Sequence, residues 1–433
     1  MVSIVLFAND VVACFDRMVP NLSALVSMKY GVMPNVMISC NLVMSNMKYG
    51  VRTHHGDSLV TYCQEPGDIE IAGETHGKAD IAFIWSLLSQ TILKAQQTLH
   101  QGVTLYSANR KRKIERNNDA FVDDCDGVAS KHQKTFRASE KATKSHLQKR
   151  AQTWADLINS SGGAIAFHKS GWQKLPFNDL TFPPTMKEVP SGNIFLRDSS
   201  GCKSKIRKMT IHTPNKGLGC HQAVTGSMDA EFGHRITQCR NCSSNIQITR
   251  LTLRETKSIL SSRIVPKITY SMPLTTFTAH QCNKMNTAID KVILNKMGIH
   301  CCMPKAVFYS SLEMGGLNYP SFEVIQDQKG ILYLLQQVRW KGTVANDMLT
   351  VLSAVQLVSG WCTPVLMNVT TPLPHVAQGW FTHIRGRLSN MEGCMWIEDQ
   401  WCPELQWEGD KSLMETFAIH PPSPLHAQES KLV

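Results

Sequence analysis

Three carboxylates, Asp123, Asp124 and Asp126, crowd into four positions of the stretch RNNDAFVDDCDGVAS, residues 116–130. Aspartate is a poor strand former and adjacent like charges repel. An apolar, strand-like run that ends in them calls for a positive counterpart: a metal ion, an Arg or Lys cluster, or only water. As an isolated feature, Asp-x-Asp-Gly is ordinary turn chemistry, with Gly127 supplying backbone freedom. A calcium loop fails on register, because with Gly127 at the sixth loop position the first and twelfth are Val122 and Gln133, and two oxygen ligands are missing. A metal site needs a partner acid elsewhere, and FANDVVACFDRM offers one: a strand delivers Asp10, followed by Phe15 and, at a helix entrance, Asp16. Two strands ending in acids, set side by side in one sheet, would converge Asp10 with Asp123 and Asp124. Such hard oxygens suit Mg²⁺ or Mn²⁺, and two ions about 3.5–4 Å apart are the usual device for in-line phosphoryl displacement.

The elements that must position these acids follow from hydrophobic spacing. Residues 2–8, VSIVLFA, read as a short buried strand leading into Asp10. After Pro20, Leu22, Leu25, Val26 and Tyr30 share one helical face, and Ile81, Ile84, Trp85, Leu88 and Ile92 form another helical stripe, with Trp85 and Tyr62 expected in the core. Residues 49–72 are strand-rich, RKRKIER (110–116) is a basic strand or hairpin, and a polar, basic helix is expected around 138–159. From about residue 229 the pattern turns helical; Thr252 and Glu255 have capping-box spacing, and the helix they open should end at Pro266. The last fifty or so residues are the least readable part of the chain.

Length and composition set outer bounds. A chain of 433 residues is long enough for two or three cores, and its formal charge of +11 makes a polyanion a natural partner. Fourteen scattered cysteines lack the density of a secreted disulfide scaffold. Only Cys239 and Cys242 have metal-ligand spacing; no second pair follows at finger spacing, so thiols on a helix surface are expected there. With no basic n-region and no long apolar run, neither a signal peptide nor a transmembrane segment is expected, and the location should be intracellular, nuclear or cytoplasmic, with no membrane partner.

Taken in order, NDVVACFDRM, GETHGKADIAFIW, AFVDDCDG and GGAIAFHKSGW resemble motifs A, B, C and D of the reverse transcriptase palm, closest to retrotransposon-type enzymes. Downstream, SSRIVPKITYSMPLTTFTAHQC, PKAVFYSSLEMGGLNYPS and AVQLVSGW are similar to the helical region that follows the palm, so that the resemblance covers residues 3–365. It implies an α+β fold: a right-hand polymerase palm, an antiparallel sheet with packed helices, over 1–228, a mostly α-helical thumb-like region over 229–375, and a tail of unknown role over 376–433. It implies RNA-directed DNA polymerisation, with an RNA template, a DNA primer and deoxynucleotide triphosphates, and two ions of Mg²⁺ or Mn²⁺ on Asp10, Asp123 and Asp124. Lys169 stands at the motif D lysine that assists pyrophosphate departure. Phe15 stands at the aromatic steric gate, and His76 and Gly77 take the place of the family's Gln-Gly turn, which positions template and nucleotide. On their residue types alone, Phe15 would be a core aromatic and Lys169 a solvated lysine; Asp16, Asp126 and the RKRK tract read as structural or electrostatic, the tract also fitting a nuclear-import signal.

The sequence departs from the family in motif B, where Asp80, Ile81 and Ala82 replace small polar residues and a proline. The fingers that precede motif A in the family have no counterpart ahead of Asp10, so a partner supplying them is expected, and the chain alone should polymerise poorly. Other readings are a truncated or decayed remnant without activity and a nucleic-acid-binding module without chemistry. The steric-gate assignment has its own test: Phe15→Ala should relax discrimination against ribonucleotides in any polymerising form of the protein, measured as the ratio of kcat/KM values for deoxy- and ribonucleotides. A ratio equal to the parent's would reject the assignment.

Overall fold

A computed structural model of the chain describes residues 3–12, 18–45, 48–54, 56–63, 81–121, 124–130, 136–178, 185–186, 192–217, 219–300, 302–405, 407, 409–410 and 412. The architecture mixes helices and sheets in two compact units, one made of Met1–Thr104 with Glu115–Thr213 and the other of Leu105–Ile114 with Pro214–Val433. Among the described residues no helix is long and apolar enough to cross a membrane.

The first unit opens with β1 (Ser3–Val12), α1 (Pro20–Lys29), α2 (Pro34–Ser45), the hairpin β2 (Lys48–Thr53) and β3 (Gly56–Cys63), and α3 (Ile81–Leu99). A second hairpin, β4 (Val103–Tyr106) and β5 (Lys113–Arg116), leads into β6 (Asn118–Phe121) and β7 (Asp124–Ser130). Then come α4 (Phe136–Ser160), β8 (Ala164–Ile165), β9 (Gly171–Asn178), β10 (Thr185–Met186), β11 (Ile194–Arg197) and β12 (Lys203–Lys208). The main sheet runs in the order β11-β12-β9-β1-β7-β6, with β10 on β9 and β8 on β1, and only β12 with β9 is parallel. The β-branched and aromatic run of β1 suits its central place.

Side chains alternate across this sheet with period two. Phe7, Asn9 and Val11 of β1 and Cys125, Gly127 and Ala129 of β7 point to the covered face and are buried. Helix α4 lies over them with Leu147, Ala151, Trp154, Ala155 and Ile158, a stripe at helical spacing, and α3 adds Trp85, Leu88 and Ile92. Burying a side chain the size of Leu147 or Ile158 contributes about 2 kcal/mol. The bare Gly127 leaves room for the contact of Arg150 of α4 with Asn118 of β6: a Cβ there would lie 3.2 Å from Asn118 Oδ1 and 3.9 Å from Arg150 Nε.

Two expectations change here, and a third is met as far as it can be followed. Asp124 and Asp126 do not end a strand, because β7 begins at Asp124 and carries Asp126 and Gly127 in its interior, so Gly127 makes room for packing where turn flexibility was expected; Asp123 lies outside the described residues. The face of α1 is rotated: Leu25 and Tyr30 are exposed, whereas Ser23, Ala24, Val26 and Ser27 are buried, their small size allowing close contact with neighbouring helices. Of the strand-rich 49–72 region, β2 and β3 account for the part up to Cys63, and 64–80 lie outside the described residues.

The second unit holds the short hairpin β13 (Asn215–Gly217) and β14 (Cys220–Gln222), then α5 (Asp229–Ile248), α6 (Leu253–Ile259), α7 (Val265–Thr269), α8 (Ala279–Lys296), α9 (Lys305–Tyr309), α10 (Phe322–Trp340), α11 (Thr343–Ser359) and α12 (Trp380–Asn390). One core gathers Ile268, Phe277, Met285 and Ile293 where α5 and α8 pack; the other gathers Leu334, Leu352, Trp361, Leu366 and Ile384 around α10 to α12. The tip of the β4–β5 hairpin belongs to this unit, where Ala108 N donates to Ser353 Oγ (3.0 Å) and Arg112 Nη1 to Asp399 O (3.0 Å). At least one arginine of the RKRK tract is therefore engaged with the fold.

The capping box at Thr252 and Glu255 forms as the spacing predicts. Pro266, however, does not end the helix. Proline removes one N–H and its ring crowds the carbonyl four residues back. The turn before it, Leu260–Ile264, widens into a π-turn with Val265 N bonded to Leu260 O, and α7 continues with Pro266 in its first turn. Cys239 is fully buried on α5, burial pushing its thiol up to about 12, so it serves the core and does not form the expected surface pair with Cys242.

Asp290 on α8 accepts a 2.6 Å hydrogen bond from Tyr309, beside the stacked rings of Phe308 and Tyr319. Burial outweighs that bond and pushes the carboxyl up to about 6. The folded state thus holds a proton that the unfolded chain releases near pH 4, and stability falls as pH rises between those values. The expected loss from this group is about 3 kcal/mol by pH 7. Urea melts of Asp290→Asn at pH 4.5 and 7 should show the second unit less pH-dependent than the parent; an unchanged difference between the two pH values would contradict this.

Candidate active site

Strands β1 and β7 run antiparallel with Asp10 opposite Asp124, Asn9 opposite Cys125 and Ala8 opposite Asp126. Directly opposed residues present their side chains on the same face, with Cα atoms about 4.5–5.5 Å apart. Asp10 and Asp124 therefore share the face turned away from α4. Asp126 follows two residues along that face, and Asp119 of β6 stands opposite it, paired with Arg116 at 2.6 Å.

The segment after α4 brings in a cation. Strand β8 pairs with Val11 and Val12, and Ala166 N donates to Asp10 O at 2.8 Å, so the following turn is fastened to the backbone of the acid itself. Within the turn, Lys169 N and Ser170 N both donate to Ala166 O. Lys169 Nζ then lies 2.6 Å from Asp10 Oδ2, with the lysine side chain 59% and the aspartate 17% exposed.

Behind the acids sits a buried polar network that the sequence reading missed. Asn9 Nδ2 donates to Cys125 O at 2.8 Å, and Asn9 Oδ1 accepts from Trp154 Nε1 at 2.9 Å. One helical turn earlier, buried Arg150 donates to Val128 O, Asn117 O and Oδ1, and Asn118 Oδ1, tying α4 to β6 and β7. Burial pushes its guanidinium down to about 10. The available signal was parity: Asn9 stands in step with Phe7 and Val11, on the core face.

The expected residues divide cleanly. Asp10, Asp124 and Lys169 are brought to one place on the open face of the sheet. Asp123, Phe15, Asp16, His76 and Gly77 lie outside the described residues. Among the described residues no group of three or more His, Cys, Asp and Glu side chains that could hold a metal ion occurs. The pair Asp10 and Asp124 does supply two hard carboxylates on adjacent strands, a donor chemistry that fits Mg²⁺ or Mn²⁺.

No protein-family model matches the chain, and no curated protein matches it. Among solved structures, it is similar to telomerase from Candida albicans in complex with a TWJ fragment of telomeric RNA, at 10% identity and a TM-score of 0.27, over 68% of this chain and 46% of that one. Telomerase from Candida tropicalis with the same kind of RNA fragment is similar at 12% identity and a TM-score of 0.26, again over 68% of this chain and 46% of the other. The chain thus spans less than half the length of either telomerase.

Proposed function

We propose that the first unit is the palm of an RNA-directed DNA polymerase of the retroelement type, transferring deoxynucleotidyl groups to a primer 3′-hydroxyl. The observation that carries the reading is the placement of Asp10 opposite Asp124 with Lys169 Nζ 2.6 Å from Asp10. Two divalent ions on Asp10, Asp123 and Asp124 would activate the attacking hydroxyl and neutralise the leaving oxygen. The chain's own part is preorganisation: ladder hydrogen bonds fix the two strands, so the carboxylates need no rearrangement as charge develops. Lys169 Nζ, exposed and held at Asp10, gives a cation or a proton to the departing pyrophosphate. Phe15 crowds a ribose 2′-hydroxyl, and His76 and Gly77 position template and nucleotide. A formal charge of +11 suits a nucleic-acid partner.

Primer extension tests this reading, using the purified 433-residue chain and the same chain supplied with a fingers segment in cis or in trans. The expected result is template-dependent incorporation of deoxynucleotides that requires Mg²⁺ or Mn²⁺. Salt-dependent nucleic-acid binding with no extension under either condition would contradict it and favour a non-catalytic binding module.

A further inference from the structure

We infer that Asn9, clamped by Trp154, is a positioning residue that sets the alignment of Asp10 with Asp124. The inference rests on the reading of those two acids as metal ligands. Asn9 immediately precedes Asp10, and its register partner Cys125 immediately follows Asp124. The rung that Asn9 and Cys125 form is therefore the one directly beside the rung of acids. Across it, Asn9 Nδ2 adds a 2.8 Å side-chain bond to Cys125 O, and Trp154 Nε1 holds Asn9 Oδ1 at 2.9 Å.

All three residues are buried, with 5% of Asn9, 4% of Cys125 and 4% of Trp154 exposed. An amide in such a place is costly unless both its donor and acceptor are used. Here both are, in opposite directions, one to the neighbouring strand and one to the covering helix. A valine or leucine would pack at this core position equally well and would carry no directional information. The amide does carry it. A one-residue slip of β1 against β7 would turn Asp10 inward and Asn9 outward, breaking both bonds at once. Small shear movements of β1 against β7 are opposed in the same way, because α4 holds Asn9 from a third element.

Groups that orient metal ligands without touching the metal change its affinity by about 10–100-fold when removed. The test uses the full chain and Mn²⁺ alone, followed by electron paramagnetic resonance, alongside thermal melts and amide exchange of residues 124–130. Trp154→Phe keeps an aromatic ring in the core and deletes the donor together with part of the indole's volume; Asn9→Leu keeps the branched shape, at larger volume, and deletes both bonds. Trp154→Phe should weaken Mn²⁺ binding about tenfold and Asn9→Leu more, with faster exchange in 124–130. Should Asn9→Leu fail to fold, Trp154→Phe decides alone. Binding that is absent in the parent, or unchanged by Asp10→Asn, overturns the metal reading and this inference with it. Binding lost in Asp10→Asn yet within twofold of the parent in the folded Trp154→Phe and Asn9→Leu proteins overturns this inference alone, whatever happens to the melting temperature.

Discussion

Glu231→Ala should destabilise the second unit by about 3–5 kcal/mol, because it strands a buried guanidinium. Glu231 is fully buried on α5, and Arg235, one turn on, is 3% exposed. Glu231 Oε1 accepts from Arg235 Nε at 2.5 Å and from Ser271 Oγ at 2.6 Å, while Oε2 accepts from His221 N at 2.8 Å. Arg235 in turn donates to Gly219 O and Lys267 O, both at 3.0 Å, so that the pair ties α5 to the β13–β14 hairpin and to α7. Burial alone would raise the Glu231 carboxyl, but the bonds from Ser271 and the His221 N–H and the charge of Arg235 hold it below the usual glutamate value. That direction means the stabilisation is present above the unfolded pKa and is lost as pH falls through the folded one. Scanning calorimetry should place the transition of the second unit about 10 °C lower in Glu231→Ala. Adding Arg235→Met should recover part of the loss, since a buried pair replaced whole by apolar groups costs far less than a pair broken. A single variant as stable as the parent would show that the pair carries no structural weight.

Asp10→Asn and Asp124→Asn should each cut primer extension at least about a hundredfold, the usual scale for removing one preorganised electrostatic group from a charge-developing transition state. The amide keeps the size and much of the hydrogen bonding of the acid but not its charge, so the fold should survive. Asp10→Asn also removes the anion facing Lys169 Nζ, which now lies at 2.6 Å. On the proposed reading the acids share the same ions, so the double variant should be little worse than either single one. Losses that multiply would mean the two carboxylates work independently, contrary to a shared site. Single-turnover rates, which separate chemistry from binding, are the measurement.

Much of this site was legible because acids are conspicuous in strands. Asp10 and Asp124 stood out by type, and β1 and α3 followed from apolar spacing, as with Trp85, Leu88 and Ile92 on α3; β7 did not, because the run before the acids read as the strand and the segment after them as a turn. The supporting network was not legible. Asn9 interrupts an apolar run and reads as a break, although its parity with Phe7 and Val11 places it inside. Arg150 sits in a helix whose many basic residues suggest a solvated face, and only tertiary acceptors from Asn117, Asn118 and Val128 show why it is buried. Gly127 looked like turn chemistry because a strand glycine is unusual; what it provides is space beneath α4. Pro266 misled for a related reason, since a local breaker rule does not foresee a π-turn that absorbs the clash. Helix α12, WFTHIRGRLSN, is short, with its apolar positions interrupted by Arg and Gly, yet Phe381, Ile384 and Leu388 complete a core. A proline- and tryptophan-rich setting hid it.

The central claim, that the face carrying Asp10 and Asp124 is a divalent-ion site, is tested most directly by titrating Mn²⁺ into the purified chain and following it by electron paramagnetic resonance. Saturable binding is expected, displaced by Mg²⁺ and severely weakened by Asp10→Asn and by Asp124→Asn, while the melting temperature stays near the parent's. Parent protein that leaves Mn²⁺ unbound, or binding indifferent to both substitutions, would contradict it.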